Sequence, residues 1–424
     1  MNQQFVLKGD ICYAASLQSL YTLRGGYLVC EDGKSVGVYA ELPEKYRHYP
    51  LRDYGSALLL PGLTDLHAHA PQFTFRALGM DLELLDWLNT RTFPEEAKYH
   101  DLEYAERAYS AFVEDVHKGP NTRAVIFATL HVPATLLLME KLEASGLRSM
   151  VGKVNMDRNS PPELREESAE TSLRDTQDWI EQTKGRFERT APILTPRFIP
   201  SCSDGLMHGL ETLQRQTHLP VQSHLSENPS ECSWVKELCP SAQGYADAYL
   251  QYGQFGGDVP TVMAHCVWVE DAEIELMAQR NVYVAHCPQS NMNLSSGIAP
   301  VRRFLDKGVP VGLGSDVAGG CHTSIFRAIS DAVQVSKLHW RLQDQQAKPL
   351  SVTEAFYLAT VGGGSFFGKV GSFDAGYDFD VIVVDDAALH SVAPLSIEDR
   401  LARVIYLSDD RHIVGKYVAG EKLF

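Results

Sequence analysis

Basic blocks, closely spaced cysteine pairs and long apolar runs are all missing from this chain. Lys and Arg number 38 against 54 Asp and Glu, a formal charge of −16, and they form no basic stripe. That excludes a surface built for nucleic acid and favours a small-molecule or protein partner. No run approaches the roughly 18 apolar residues of a membrane span, so no membrane partner is expected. The opening MNQQFVLKGDICYAAS has no basic stretch leading into an apolar one, so no secretory leader is expected. The 8 Cys are scattered without a CxxC pair, which argues against a thiolate zinc site. Reduced thiols in a cytoplasmic protein are the expectation.

What is present is ordinary globular material: 424 residues, 44% hydrophobic and 22% charged, enough for a large core and more than one domain. Eight short apolar runs recur through the middle, at 58–69, 123–130, 149–156, 191–198, 220–225, 261–266, 282–287 and 309–316. Helical patterns lie between them. In 101–119, Ala105, Ala108, Tyr109, Phe112, Val113 and Val116 fall on one face at a spacing of about 3.6. Ser351 and Glu354 have capping-box spacing, and that helix is expected to end at Gly362-Gly363-Gly364. Near-continuous apolar strands alternating with helices predict a parallel sheet covered on both faces. The strand number predicts an α/β fold of the (β/α)8 TIM-barrel type, with a doubly wound sheet as runner-up. Residues 1–60 and 366–424 show strand-like alternation and turns without long helical patterns. They are expected to form a small β-sandwich domain, with the barrel, 61–365, inserted between them.

Four polar clusters sit at or near the ends of predicted strands. In LHAH, residues 66–69, His67 and His69 are two apart and so share one face of a strand. His224, His265 and Asp316 end three further runs. In a barrel those ends meet at one mouth. Imidazoles and a carboxylate are zinc ligands, and a bound zinc brings the pKa of its water to about 7. The fourth strand carries Arg197 and no lysine to bridge a second ion, so one metal is expected. Glu227, three residues after His224, is placed to move protons. Each residue alone has a plainer reading: Asp316 suits a helix N-cap, and Glu227 suits a solvated loop. Their joint placement is what argues for a metal site. His117, His218 and His339 read as surface residues of helices or loops, and His286 has no assignment.

LPGLTDLHAHAPQ, SHLSEN, MAHCVWVED, AHCPQSNMNLSSG and GLGSDVAGG together resemble the metal-dependent amidohydrolase superfamily. DLELLDWLNTRTFPEE, VGKVNMDRNSPPE and ILTPRF narrow the resemblance to its guanine deaminases, from about residue 55 to the C-terminus. The resemblance implies a zinc ion, with Fe2+ as an alternative, held by His67, His69, His224 and Asp316. It implies that Glu227 and His265 work on the water, and that Gln72, Arg197 and Phe198 hold the purine. Trp87 is a further stacking candidate, with core packing as its other reading. Arg is a natural donor to guanine O6 and N7. The implied reaction is attack at C2, with Glu227 delivering a proton to N3 and Asp316 and His265 managing the proton of the water. A homodimer is implied as well. GPNTRA at 119–124 departs from the resemblance, with Pro120 and Arg123 unusual there, as does Ser315 mildly. Other readings are deamination of an 8-oxopurine, pterin or cytosine, hydrolysis of a halogenated triazine, or a non-catalytic scaffold.

Overall fold

Each of the eight apolar runs contributes a strand to the computed structural model, which describes residues 4–424. Four strands come from the N-terminal segment: β1 (Gln4–Ser16), β2 (Ser19–Glu31), β3 (Lys34–Tyr39) and β4 (Leu51–Pro61). The central strands are β5 (Leu63–His69), β6 (Asn121–Phe127), β7 (Arg148–Gly152), β8 (Val154–Asn155), β9 (Thr190–Pro192), β10 (Thr195–Pro196), β11 (Val221–Leu225), β12 (Thr261–His265), β13 (Val282–His286) and β14 (Val311–Leu313). The last are β15 (Val381–Val384), β16 (Ile413–Val418) and β17 (Glu421–Lys422). The central strands form two parallel sheets, β5-β6-β7-β9 and β11-β12-β13-β14, with a short β10-β8 pair. All pairings inside them are parallel, as connections through helices require. The run at 191–198 is split into β9 and β10 where its hydrogen bonds change neighbour: the N–H of Ile193 donates to the Val151 carbonyl at 3.0 Å and that of Leu194 to the Pro220 carbonyl at 2.9 Å.

The helix Leu102–Lys118 buries the six residues its periodicity marks, and the Asp101 carboxylate caps the N–H groups of Glu103 and Tyr104. The capping box of Ser351 and Glu354 is present, but the helix does not stop at the glycines. It runs through a π turn, Leu358–Gly362, into a 3₁₀ turn, Ser365–Phe367.

Strands from both ends of the chain share one seven-stranded sheet, β17-β16-β15-β4-β1-β2-β3. The C-terminal segment, expected to hold strands and turns without a long helix, also contains the helix Ile397–Leu407. Its Ile397, Leu401, Val404 and Ile405 are buried at i, i+4, i+7 and i+8, and the helix packs against β1 and β2 of the sheet.

Arg123, the unusual residue of GPNTRA, finds its reason here. Its guanidinium is buried at the start of β6, donating to Asp380 at 2.7 and 3.2 Å and to Asp378 at 2.7 Å. Lys34 also pairs with Asp378. Lys416 of β16 is fully buried and donates to the carbonyls of Val116, His117 and Asn121 at 3.1, 2.7 and 3.0 Å. Two of these are unpaired carbonyls at a helix C-terminus, which a cation stabilises.

Candidate metal and purine site

The C-terminal ends of β5, β11 and β12 and the turn after β14 bring four histidines and Asp316 together. His67 and His69 point the same way along β5, and the Nε2 of His69 lies 3.2 Å from Nε2 of both His67 and His224. Asp316 Oδ1 is 3.1 Å from His67 Nε2 and 3.5 Å from His69 Nε2. The donor atoms of His67, His69 and His224, and those of His67, His265 and Asp316, form two close overlapping sets. Burial, the largest effect, lowers the pKa of His67, and takes those of His69 and His224 well below the ordinary value; all three are therefore neutral. Three neutral imidazole nitrogens converging beside one carboxylate suit a shared divalent ion better than one another.

The backbone is bent to achieve this. His265, with φ of 70°, and Asp316, with φ of 45°, are non-glycine residues in the left-handed region, as are Ser226 and Cys266 at 50°. Each such residue costs about 1–3 kcal/mol and tends to mark a functional turn. Asp316 N–H donates to the His67 carbonyl at 2.8 Å. Asp65 accepts from the N–H of His67 at 3.1 Å and of Ser315 at 3.0 Å, tying the two strand ends together. Gly314 allows this approach: a Cβ there would meet Cys287 Sγ at 2.7 Å and His67 Cβ at 2.9 Å. The neighbours also set the rings. Nδ1 of His224 donates to the Arg197 carbonyl at 2.6 Å, which leaves Nε2 as the lone-pair nitrogen. Nδ1 of His265 donates to Asn291 Oδ1 at 2.9 Å.

Glu227 is buried beside the cluster. Its Oε1 accepts from Ser296 Oγ at 2.9 Å, and its Oε2 lies 3.4 Å from His265 Nε2. Burial pushes this carboxyl up to about 7, a range in which it both takes and gives protons near neutral pH. Glu231 accepts from the N–H of Glu227 at 2.9 Å and holds its loop.

A cleft opens over the cluster, walled by Gln72, Leu84, Trp87, Arg197, Phe198 and Leu294. Arg197 is not free in this wall. Glu96 binds it through two contacts, Nη1–Oε2 at 2.5 Å and Nη2–Oε1 at 3.1 Å. Gln72 donates to the same Oε1 at 2.8 Å and accepts from the N–H of Ala318 at 3.1 Å. Trp87 belongs to both of its readings: it lines the cleft, and it is core, with Nε1 donating to the Leu78 carbonyl at 3.1 Å. Phe198 lies edge-on to Trp234. Glu96, Glu231, Asn291 and Ser296 were not singled out in the sequence, although Asn291 and Ser296 stand inside AHCPQSNMNLSSG. His286 is buried with Nδ1 unpartnered, and lies outside this cluster. Of the histidines read as surface residues, His117 is partly buried against the Ser145 carbonyl at 3.1 Å.

A family model described as "Amidohydrolase family" matches residues 58–423. The chain belongs to the amidohydrolase family. Among related amidohydrolases, the guanine deaminase of Dictyostelium discoideum is 39% identical over 379 residues, 88% of this chain and 83% of that protein. That of Escherichia coli (strain K12) is 34% identical over 403 residues, 93% of this chain and 87% of the relative. The crystal structure of a guanine deaminase from C. acetobutylicum with guanine bound in its active site superimposes with a TM-score of 0.96 at 44% identity. It covers 99% of this chain and 100% of its own.

Proposed function

We propose that this amidohydrolase is a guanine deaminase, converting guanine and water to xanthine and ammonia. The observation that carries the proposal is the convergence of three neutral imidazoles and Asp316 beneath a cleft with Arg197 and Gln72 in its wall. The identities to guanine deaminases support it. His67, His69, His224 and Asp316 would hold one ion, read as zinc, with Fe2+ suiting the same donors. A divalent ion so held supplies an acidified water as nucleophile. Arg197 and Gln72 hold the polar edge of the purine, and Phe198 and Trp87 its faces. Glu227 delivers a proton to N3 as C2 is attacked. Asp316 and His265 orient the water and take up one of its protons, which leaves with the amine as ammonia, and the second passes from the new hydroxyl back to Glu227 as the C2 carbonyl forms.

The same reading extends to the architecture. The two parallel sheets are read as one closed (β/α)8 barrel, residues 61–365, with the small β-sandwich domain built from 1–60 and 366–424. Two links support closure. Asp316 N–H reaches the His67 carbonyl at 2.8 Å, between β14 and β5. Gln222 N–H reaches the Leu194 carbonyl at 2.9 Å, between β11 and the β9–β10 segment. The shared seven-stranded sheet supports joining the two ends in one domain.

A panel of guanine, an 8-oxopurine, a pterin and cytosine tests the substrate. Guanine is expected to be turned over with the highest kcat/KM. A pterin or cytosine as the preferred substrate overturns the purine reading of Gln72, Arg197 and Phe198.

A further inference from the structure

We infer that Glu96 is a positioning and specificity residue, which makes the purine-binding wall electrically neutral and so selects neutral guanine over an anionic product. The inference rests on the guanine reading above. Glu96 lies behind the wall, in the short helix Phe93–Glu96, and is only 2% exposed. One carboxylate engages both polar wall residues: two contacts to Arg197 and one from Gln72. The Phe93 ring lies 5.3 Å from the Arg197 guanidinium and completes the seat.

Two consequences follow. The first is geometric. A bidentate carboxylate fixes the guanidinium plane, and the remaining N–H groups of Arg197 then present a preset fork to the ring. Gln72 is fixed at both ends of its amide, by Glu96 and by the N–H of Ala318, so its free N–H has one direction. The second is electrostatic. Arg197 is buried, and an uncompensated guanidinium in a dry wall attracts anions strongly. With Glu96 bound to it, the wall offers hydrogen bonds without net charge. Guanine is neutral near pH 7. Xanthine ionises more readily, and its anion finds no charge to hold it.

The test compares Glu96→Gln and Glu96→Asp with the parent enzyme, using guanine turnover and xanthine inhibition at neutral and mildly alkaline pH. Glu96→Gln keeps the shape and removes the charge. KM for guanine is expected to rise about 10–100-fold, the loss of charge-assisted hydrogen bonds, with kcat changed much less. Xanthine is expected to inhibit this variant more tightly than the parent, and most at alkaline pH. Glu96→Asp keeps the charge and shifts its position: a raised KM without the gain in xanthine affinity. Its result stands alone if Glu96→Gln does not fold. Loss of guanine and xanthine affinity together in Glu96→Gln, or a parental KM in Glu96→Asp, overturns the inference. Absence of guanine turnover by the parent enzyme overturns the guanine reading instead, before either variant is compared.

Discussion

Replacing Arg123 with Leu should destabilise the fold while leaving the chemistry intact. Arg123 is 4% exposed and makes three hydrogen bonds to Asp378 and Asp380, which lie just before β15 in the terminal sheet. Removing one partner from a buried ionic group costs about 3–5 kcal/mol, because it strands the other. Asp380 is 1% exposed and keeps one other partner, the N–H of Ala419 at 2.7 Å. At about 1 °C per kcal/mol for a chain of this size, the unfolding midpoint should fall by roughly 3–6 °C. The cluster of histidines and Asp316 should be unaffected. Arg123 is the third residue of β6, whereas Phe127 at the far end packs on His67, His69 and His224, roughly 13 Å away at about 3.3 Å per residue. The deficit should also depend on pH. Burial pushes the Asp378 carboxyl up, but the hydrogen bond from Lys34 and the attraction of Arg123 outweigh it and hold it below the usual range. A depressed carboxyl stabilises the fold above its unfolded pKa, and loses that effect as pH falls through its folded value. The gap between parent and variant should therefore be widest near neutral pH and narrow on acidification. Thermal unfolding followed by circular dichroism at several pH values, with guanine turnover at 25 °C, checks both halves. An unchanged midpoint, or lost turnover in a folded variant, refutes the reasoning.

Glu227→Gln should lower kcat by about 10²–10⁴ with metal content unchanged, since it removes the proposed proton carrier and leaves the four proposed ligands. Near-parental turnover in that variant removes Glu227 from the mechanism. Arg197→Ala should raise KM for guanine by at least about tenfold while retaining metal. Equal loss of metal and activity would instead make Arg197 a structural support, through its carbonyl bond to His224.

The pattern of the central strands was legible because parallel strands covered on both faces must be apolar throughout, and strand ends then stand out as polar breaks. His67, His69, His224, His265 and Asp316 could be grouped for that reason alone. Glu96 could not. It lies 101 residues from Arg197 in a four-residue helix, and nothing in TFPEE distinguishes it from the solvated Glu its neighbours suggest. Its partner Arg197 was expected only to hold the purine, and the ion pair occupies one side of its guanidinium. Arg123 looked anomalous because its reason is tertiary: its carboxylates sit 255 and 257 residues away. The helix Ile397–Leu407 was legible and missed, its i, i+4, i+7 spacing hidden by the strand-like segments around it. The glycines at 362–364 misled as a stop signal, because close packing, not a turn, uses them: a Cβ on Gly362 would meet the Val311 carbonyl at 2.5 Å.

The central claim is a metal-dependent attack on guanine at the cluster of His67, His69, His224 and Asp316. The most direct test is the metal content of the purified protein, together with guanine conversion to xanthine followed by ultraviolet absorbance, with and without a chelator. The account predicts about one zinc or iron per chain, and xanthine formation that the chelator abolishes and added metal restores. Metal-replete protein that leaves guanine unchanged, or xanthine formation indifferent to complete metal removal, would contradict it.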